Sequence, residues 1–152
     1  MRSLLNYTCS FIGPNLVAPE RLPELRKALL RVLSEAVVAG ARHFYCALLP
    51  GYSACAASAV LELKQMFEGL TLTLVVTPNQ SRERWGRDFP ARAMLCREAD
   101  ARIYLPRRLG VEQYLLAKGG WCICHCPPFD MHGARSASRA IRQGRKIFTF
   151  SS

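Results

Sequence analysis

The chain has 152 residues, half of them hydrophobic and 21% charged, which is the composition of one folded domain and excludes a disordered chain. Its 21 Lys and Arg against 11 Asp and Glu leave a formal net charge of +10, which favours nucleotides, nucleic acids or other anionic partners. No stretch approaches the ~20 apolar residues that a membrane-spanning helix needs. We therefore predict a single domain over residues 1–152 and no membrane contact.

The cysteine count indicates the redox compartment. The chain has seven Cys, and an odd count argues against a complete set of disulfides. The start of the chain lacks an apolar core of signal-peptide length. We expect buried thiols and a cytoplasmic protein.

Strand and helix patterns alternate along the whole chain. Apolar or β-branched runs predict six strands, at Leu4–Ile12, Phe44–Leu49, Leu70–Thr77, Ala101–Leu105, Trp121–Cys126 and Lys146–Phe150. Helical spacing predicts five helices, at Pro19–Ala39, from a Ser53 cap towards Gly69, and at Asp88–Ala99, Val111–Lys118 and Ala134–Gln143. This order predicts an α/β fold: a three-layer α/β/α, Rossmann-like, doubly wound, mostly parallel sheet of about six strands.

The segment from Phe44 to the second helix is a strand, a Pro50-Gly51 turn and a helix start. Such a turn directs unpaired backbone N–H groups and the positive end of a helix dipole at one point, where a phosphate can bind. A plain strand-to-helix connection has the same pattern, so the two interpretations are equally supported here.

In doubly wound folds, ligands bind beyond the carboxyl ends of the strands, near the point where the strand order reverses. That rule nominates four loops, Gly13–Asn15, Pro50–Ser53, Pro78–Trp85 and Pro127–Ser136. The predicted ligand contacts in these loops are Gly13, Asn15, Gly51, Ser53, Arg84, Trp85, Gly133, Arg135 and Ser136.

Metal and catalytic chemistry have weak sequence support. Three cysteines alternate in Cys122–Cys126 and share one strand face, whereas tetrahedral zinc uses pairs such as Cys-x-x-Cys, so we predict buried thiols and no metal site. His43 begins a strand and is predicted to be structural. His132, Glu83 or Asp130 could act as an acid or base, but no pattern joins them to a nucleophile, so catalytic residues stay unassigned.

Single-stranded nucleic acid is a further possible partner. Trp85 stands among Arg82, Arg84 and Arg87, which together could supply a stacking surface and positive charge. We favour a pocket wall or the rim of the core for Trp85 over a base-stacking surface.

The chain resembles the YpsA-like family of uncharacterised bacterial proteins in the SLOG superfamily, relatives of the Lonely-guy and DprA Rossmann-like domains. The resemblance covers nearly the whole chain. It is best in GARHFYCALLPGYSACAASAVLELK, which is similar to the family's glycine, strand, glycine loop and Ala-rich helix, and it continues through Thr77-Pro78, Gln80, Trp85 and Ala99-Asp100. It implies a Rossmann-like fold and a nucleotide or nucleotide-derived phosphate ligand. The sequence identifies no other cofactor, and a homo-oligomer is possible.

The chain also departs from the family pattern at the ligand loops. Tyr52-Ser53 stand where Val-Asp is expected, and the Glu of the Lonely-guy phosphoribohydrolase signature is missing, so that activity does not carry over. The leading hypothesis is a nucleotide-binding domain without catalysis. The alternatives are a nucleoside-monophosphate phosphoribohydrolase-like enzyme, DprA-like binding of single-stranded DNA, and an interaction module whose pocket is filled by its own side chains.

Overall fold

The computed structural model describes residues 7–13, 17–78, 85, 89–125, 142 and 146–150. Its strands are β1 Thr8–Ile12, β2 His43–Ala47, β3 Thr71–Val76, β4 Ala101–Tyr104, β5 Trp121–His125 and β6 Lys146–Phe150. Its helices are α1 Leu22–Val38, preceded by a 3-10 turn at Pro19–Arg21, then α2 Tyr52–Lys64, α3 Phe89–Glu98 and α4 Val111–Lys118. No helix within these ranges is long and apolar enough to cross a membrane.

The six strands form one sheet in the order β4-β3-β2-β1-β5-β6, and every neighbouring pair is parallel. From β1 the chain adds strands outwards in one direction to β4, and β5 then returns to the other side of β1. The strand order therefore reverses between β1 and β5, which is the switch point of a doubly wound sheet. The predicted α/β, Rossmann-like fold is confirmed.

One face of the sheet carries the main hydrophobic core. Phe11, Phe44 and Leu72 point into it from the neighbouring strands β1, β2 and β3, and α1 and α2 cover them. Along α1 the buried positions Leu25 and Leu29 recur at helical spacing, with further members one turn apart. This face supplies most of the burial that holds the domain together.

The opposite face is covered by α4. Leu116 packs with Ile12, Cys122 and Cys124, and Leu115 packs with Val75 and its neighbours. Because helices cover both faces, the domain has three layers and its central strands contain nearly continuous apolar runs.

Element boundaries agree with the sequence prediction to within a few residues, with one correction. Gly51, and not Ser53, is the N-cap of α2, which begins at Tyr52. The Ser53 cap prediction is wrong because Gly51 adopts φ +80°, a conformation that glycine alone reaches readily, and the helix starts directly after it. The predicted helix Ala134–Gln143 lies outside the described residues except for Arg142, which is helical.

Asp100 joins three elements at the amino end of the sheet. Its carboxylate accepts a hydrogen bond from the backbone N–H of Leu72 at 2.8 Å and pairs with the Lys64 ammonium at the end of α2. Partial burial raises the pKa of Asp100, and the bonds from Lys64 and Leu72 outweigh that and hold its pKa below the usual value. The Ala99-Asp100 pair of the family resemblance thus has a structural role here.

We predict that Leu33→Ala lowers the free energy of unfolding by about 2–5 kcal/mol, because it leaves a cavity under α1 where Leu33 is fully buried. The matched control is Val38→Ala at the end of the same helix, where the side chain is 83% exposed and the change should stay within about 0.5 kcal/mol. Urea unfolding of the two variants measures both values. Equal losses would contradict the assigned core face of α1.

Candidate functional site

The switch point lies between the carboxyl ends of β1 and β5, and the start of α2 packs against it. Gly13 directly follows β1. Strand β5 lies beside β1, and its residue Ile123 pairs with Phe11 in the sheet register. Gly51 closes the turn that leads from β2 into α2. The structure thus brings two predicted site glycines, Gly13 and Gly51, to one corner of the domain.

The side chain of Tyr52 fills this corner. It is fully buried, and its hydroxyl donates a hydrogen bond to the carbonyl oxygen of Ile123 at 2.7 Å. Its ring meets that of Phe11 edge-on, with centroids 6.5 Å apart and planes at 64°. A Cβ atom added to Gly13 would lie only 2.3 Å from Cδ1 of Tyr52, so the ring rests directly on the backbone at the end of β1.

Tyr52 is held as a neutral phenol. Burial raises the pKa of its hydroxyl well above the usual value, and the surrounding cysteine thiols reinforce the shift. Together with the bond to Ile123, this makes Tyr52 a packing group that spans from α2 to β5. The space beside Gly13, where a ligand at the switch point was predicted, is therefore occupied by the protein's own aromatic ring.

Ser53 follows Tyr52 in the first turn of α2 and is only 6% exposed. Its carbonyl oxygen accepts a hydrogen bond from the Cys46 thiol at 3.1 Å. Trp85 is 2% exposed and belongs to the main hydrophobic core. Its ring is therefore a core group and offers no exposed face for base stacking.

The remaining predicted contacts, Asn15, Arg84, Gly133, Arg135 and Ser136, lie outside the described residues. So do the candidate acid–base residues His132, Glu83 and Asp130 and the arginines Arg82 and Arg87. Their parts in a site stay predictions. His43, predicted to be structural, bonds through Nδ1 to the Thr71 hydroxyl at 2.8 Å where β2 and β3 begin.

The thiols of the central strands are buried, as predicted. Cys122 and Cys124 share one face of β5 with their sulfur atoms 3.4 Å apart, and both are free. Cys9 and Cys46 lie in the main core. Within the described ranges, no three His, Cys, Asp or Glu side chains gather as a metal site would require.

The sequence predicted that the Pro50–Ser53 loop lies at the switch point, but it did not predict that the Tyr52 side chain fills the space there. Tyr52 stands where the resembled family has Val, and a large aromatic residue next to a glycine turn was the available indication. What the pattern lacked was the direction of the side chain: the first position of a helix can face solvent, a ligand or the sheet. Only the packing of α2 against β1 and β5 decides this.

Comparison with known proteins gives a likeness in fold. No family model and no curated protein matches the sequence. The structure is similar to DNA processing protein A from Helicobacter pylori, a solved structure described for its single-stranded DNA binding mode, with a TM-score of 0.54 and 11% identity. The match covers 97% of this chain and 66% of that one, so this chain spans less than two thirds of the neighbour's length.

That neighbour is the DprA that the sequence resemblance names as a relative. The likeness extends over nearly the whole chain, and at 11% identity it supports the Rossmann-like fold alone. Membership of the YpsA-like family stays a prediction.

We predict that Gly13→Ala lowers the free energy of unfolding by about 1–3 kcal/mol, because its methyl group overlaps the Tyr52 ring. In a Tyr52→Leu background the same change should cost much less, since the overlapping ring atoms are gone. Gly110→Ala is the control, because a Cβ there meets nothing nearer than 3.5 Å and should cost under about 1 kcal/mol. Additive costs in the double variant, measured by urea unfolding, would contradict the contact.

Stability is predicted to fall as the pH rises above about 9. Burial raises the pKa of the Cys9 and Cys46 thiols far above the ordinary value of 9.0, so they stay protonated in the folded protein while they ionise in the unfolded chain. Above that pH the unfolded state binds fewer protons, and each such group removes about 1.4 kcal/mol of stability per pH unit.

Denaturant titrations at several pH values measure this slope. The double variant Cys9→Ala/Cys46→Ala should lose the part of the slope that these two thiols contribute, whatever its stability at neutral pH. A flat profile between pH 9 and 10 in the parent protein would show that these thiols titrate equally in both states.

Proposed function

We propose that this protein binds single-stranded nucleic acid on an open surface, without catalysis at the switch point. The observation that carries the proposal is the closure of that crevice by Tyr52, which is fully buried and bonded to Ile123. A nucleotide at this place would have to displace the ring and leave the Ile123 carbonyl without the phenol. The net charge of +10 still favours an anionic partner, and a polyanion can be bound without a pocket.

The structural neighbour supports the same partner class. DNA processing protein A is described for a single-stranded DNA binding mode, and its fold is similar over 97% of this chain. The likeness at 11% identity supplies no residue of the interface, so the proposal rests on the closed crevice and the charge of this chain.

A second candidate is binding of a nucleotide or nucleotide-derived phosphate at the carboxyl edge of the sheet. The observation in its favour is the turn at Gly51, whose φ of +80° leads straight into the first residue of α2. The first N–H groups of a helix attract anions there. Gly13, Gly51 and Ser53 would line such a site. The phosphoribohydrolase-like alternative has no described residue in its favour.

Fluorescence anisotropy with a labelled oligothymidylate tests the first candidate. We expect binding at low salt, with log K falling linearly with log salt by about 0.7 for each phosphate contact. A duplex of the same length, added as competitor, should compete less well than unlabelled oligothymidylate.

Thermal melting with AMP and other nucleotides separates the two candidates. The closed crevice predicts no shift with mononucleotides and a rise in melting temperature with oligothymidylate. A shift with a mononucleotide and none with the oligomer would support the second candidate and overturn the first. Absence of oligothymidylate binding at low salt would also overturn the first.

A further inference from the structure

The edge strand β4 exposes a tyrosine among arginines. Tyr104 is 69% exposed, one of the most exposed large apolar side chains in the described chain. Arg102 is exposed two residues before it and therefore on the same face of the strand. β4 pairs with β3 in the register Leu74 with Arg102 and Val76 with Tyr104. Leu74 and Val76 lie in the main core, whereas the two β4 side chains on that face are uncovered.

A tight turn adds two more arginines directly after β4. The N–H of Leu109 bonds to the carbonyl oxygen of Pro106 at 3.1 Å, which places Arg107 and Arg108 at the two central positions of the turn. Both are exposed, and Leu109 beside them is 40% exposed. We call Arg102, Tyr104, Arg107 and Arg108 the β4 surface.

Among the described residues, no acidic side chain pairs with an arginine of the β4 surface. Residues 101–111 contain three arginines and no acidic residue, and Asp100 and Glu112 flank them. The ion pairs found among the described residues join Arg26 to Glu62, Lys64 to Asp100 and Arg97 to Glu98, and none uses an arginine of the β4 surface.

We propose that the β4 surface is where single-stranded nucleic acid binds, with Tyr104 stacking on a base and the three arginines contacting phosphates. This inference rests on the proposed function and assigns it a place and a mode. An exposed aromatic ring has a free face for an unpaired base, and guanidinium groups suit phosphate geometry. Side chains two residues apart on a β-strand are about 7 Å apart. Arg102 and Tyr104 can therefore contact neighbouring nucleotides of one nucleic-acid strand.

The same features disfavour other partners. Pairing of β4 with β4 of a second copy would bring two exposed arginine-bearing edges together, and like charges directly opposite each other are destabilising. A duplex could contact the arginines but keeps its bases stacked, so Tyr104 would add little to its binding. We therefore expect the β4 surface to prefer single-stranded over duplex nucleic acid, and we expect this preference to depend on the Tyr104 ring.

Substitutions of Tyr104, with a control at an equally exposed position, test base stacking. Tyr104→Ala should weaken oligothymidylate binding about 5- to 150-fold, and Tyr104→Phe should keep most of the affinity because the ring remains. Met66→Ala, which removes an equally exposed apolar side chain far along the sequence, should leave it unchanged. Tyr104→Ala should affect duplex binding less than twofold.

Arg107→Ala/Arg108→Ala tests the phosphate contacts. It should lower the slope of log K against log salt by about 1.4, since each single-strand phosphate contact contributes about 0.7. Lys27→Ala/Arg31→Ala removes two charges from the exposed side of α1 and should leave the slope unchanged. Circular dichroism and melting temperature confirm that each variant is folded.

The outcomes separate the two proposals. If the parent protein does not bind oligothymidylate, the proposed function fails. If it binds and the Tyr104 and arginine variants bind equally well with an unchanged salt slope, the β4 surface is overturned while the proposed function stands. Equal losses of single-strand and duplex binding in Tyr104→Ala would overturn base stacking.

Discussion

The contact between the Tyr52 ring and the backbone of Gly13 is the constraint on which the switch point depends. It requires a glycine at the end of β1, because a Cβ there would lie 2.3 Å from the ring. It also requires α2 to begin immediately after Gly51, so that the first residue of the helix points into the sheet. The hydroxyl then bonds to Ile123, and one side chain joins α2 to both β1 and β5.

Because of this contact, Gly13 has a structural role at the place where a ligand contact was predicted. Glycines that follow strands in Rossmann-like folds commonly allow a phosphate to approach the backbone. Here Gly13 allows the approach of an aromatic ring, which buries a large apolar surface with its one polar atom satisfied. The same backbone arrangement therefore stabilises the fold where it would otherwise leave room for a ligand.

Because the crevice is closed, the proposed binding of nucleic acid is assigned to the open surface. A pocket gains affinity by enclosing a small molecule, whereas an open basic face gains it from many phosphates and from stacking, with a strong dependence on salt. The β4 surface has the residues for this mode. Arg102 and Tyr104 are exposed on the edge strand, and Arg107 and Arg108 are exposed in the turn that follows it.

The sequence by itself determined the order and type of the elements that the structure describes, because the spacing of apolar residues reflects local burial whatever the order of the strands in the sheet. Val111–Lys118 and Lys146–Phe150 were predicted with the observed bounds, and six strands and the Rossmann-like fold were predicted correctly. Tertiary structure decided which strands are neighbours, where Tyr52 points, and that Trp85 is a core residue. Burial of these side chains depends on elements far apart in the chain. Tyr52 and Ile123, for example, are 71 positions apart, and no local pattern encodes their contact.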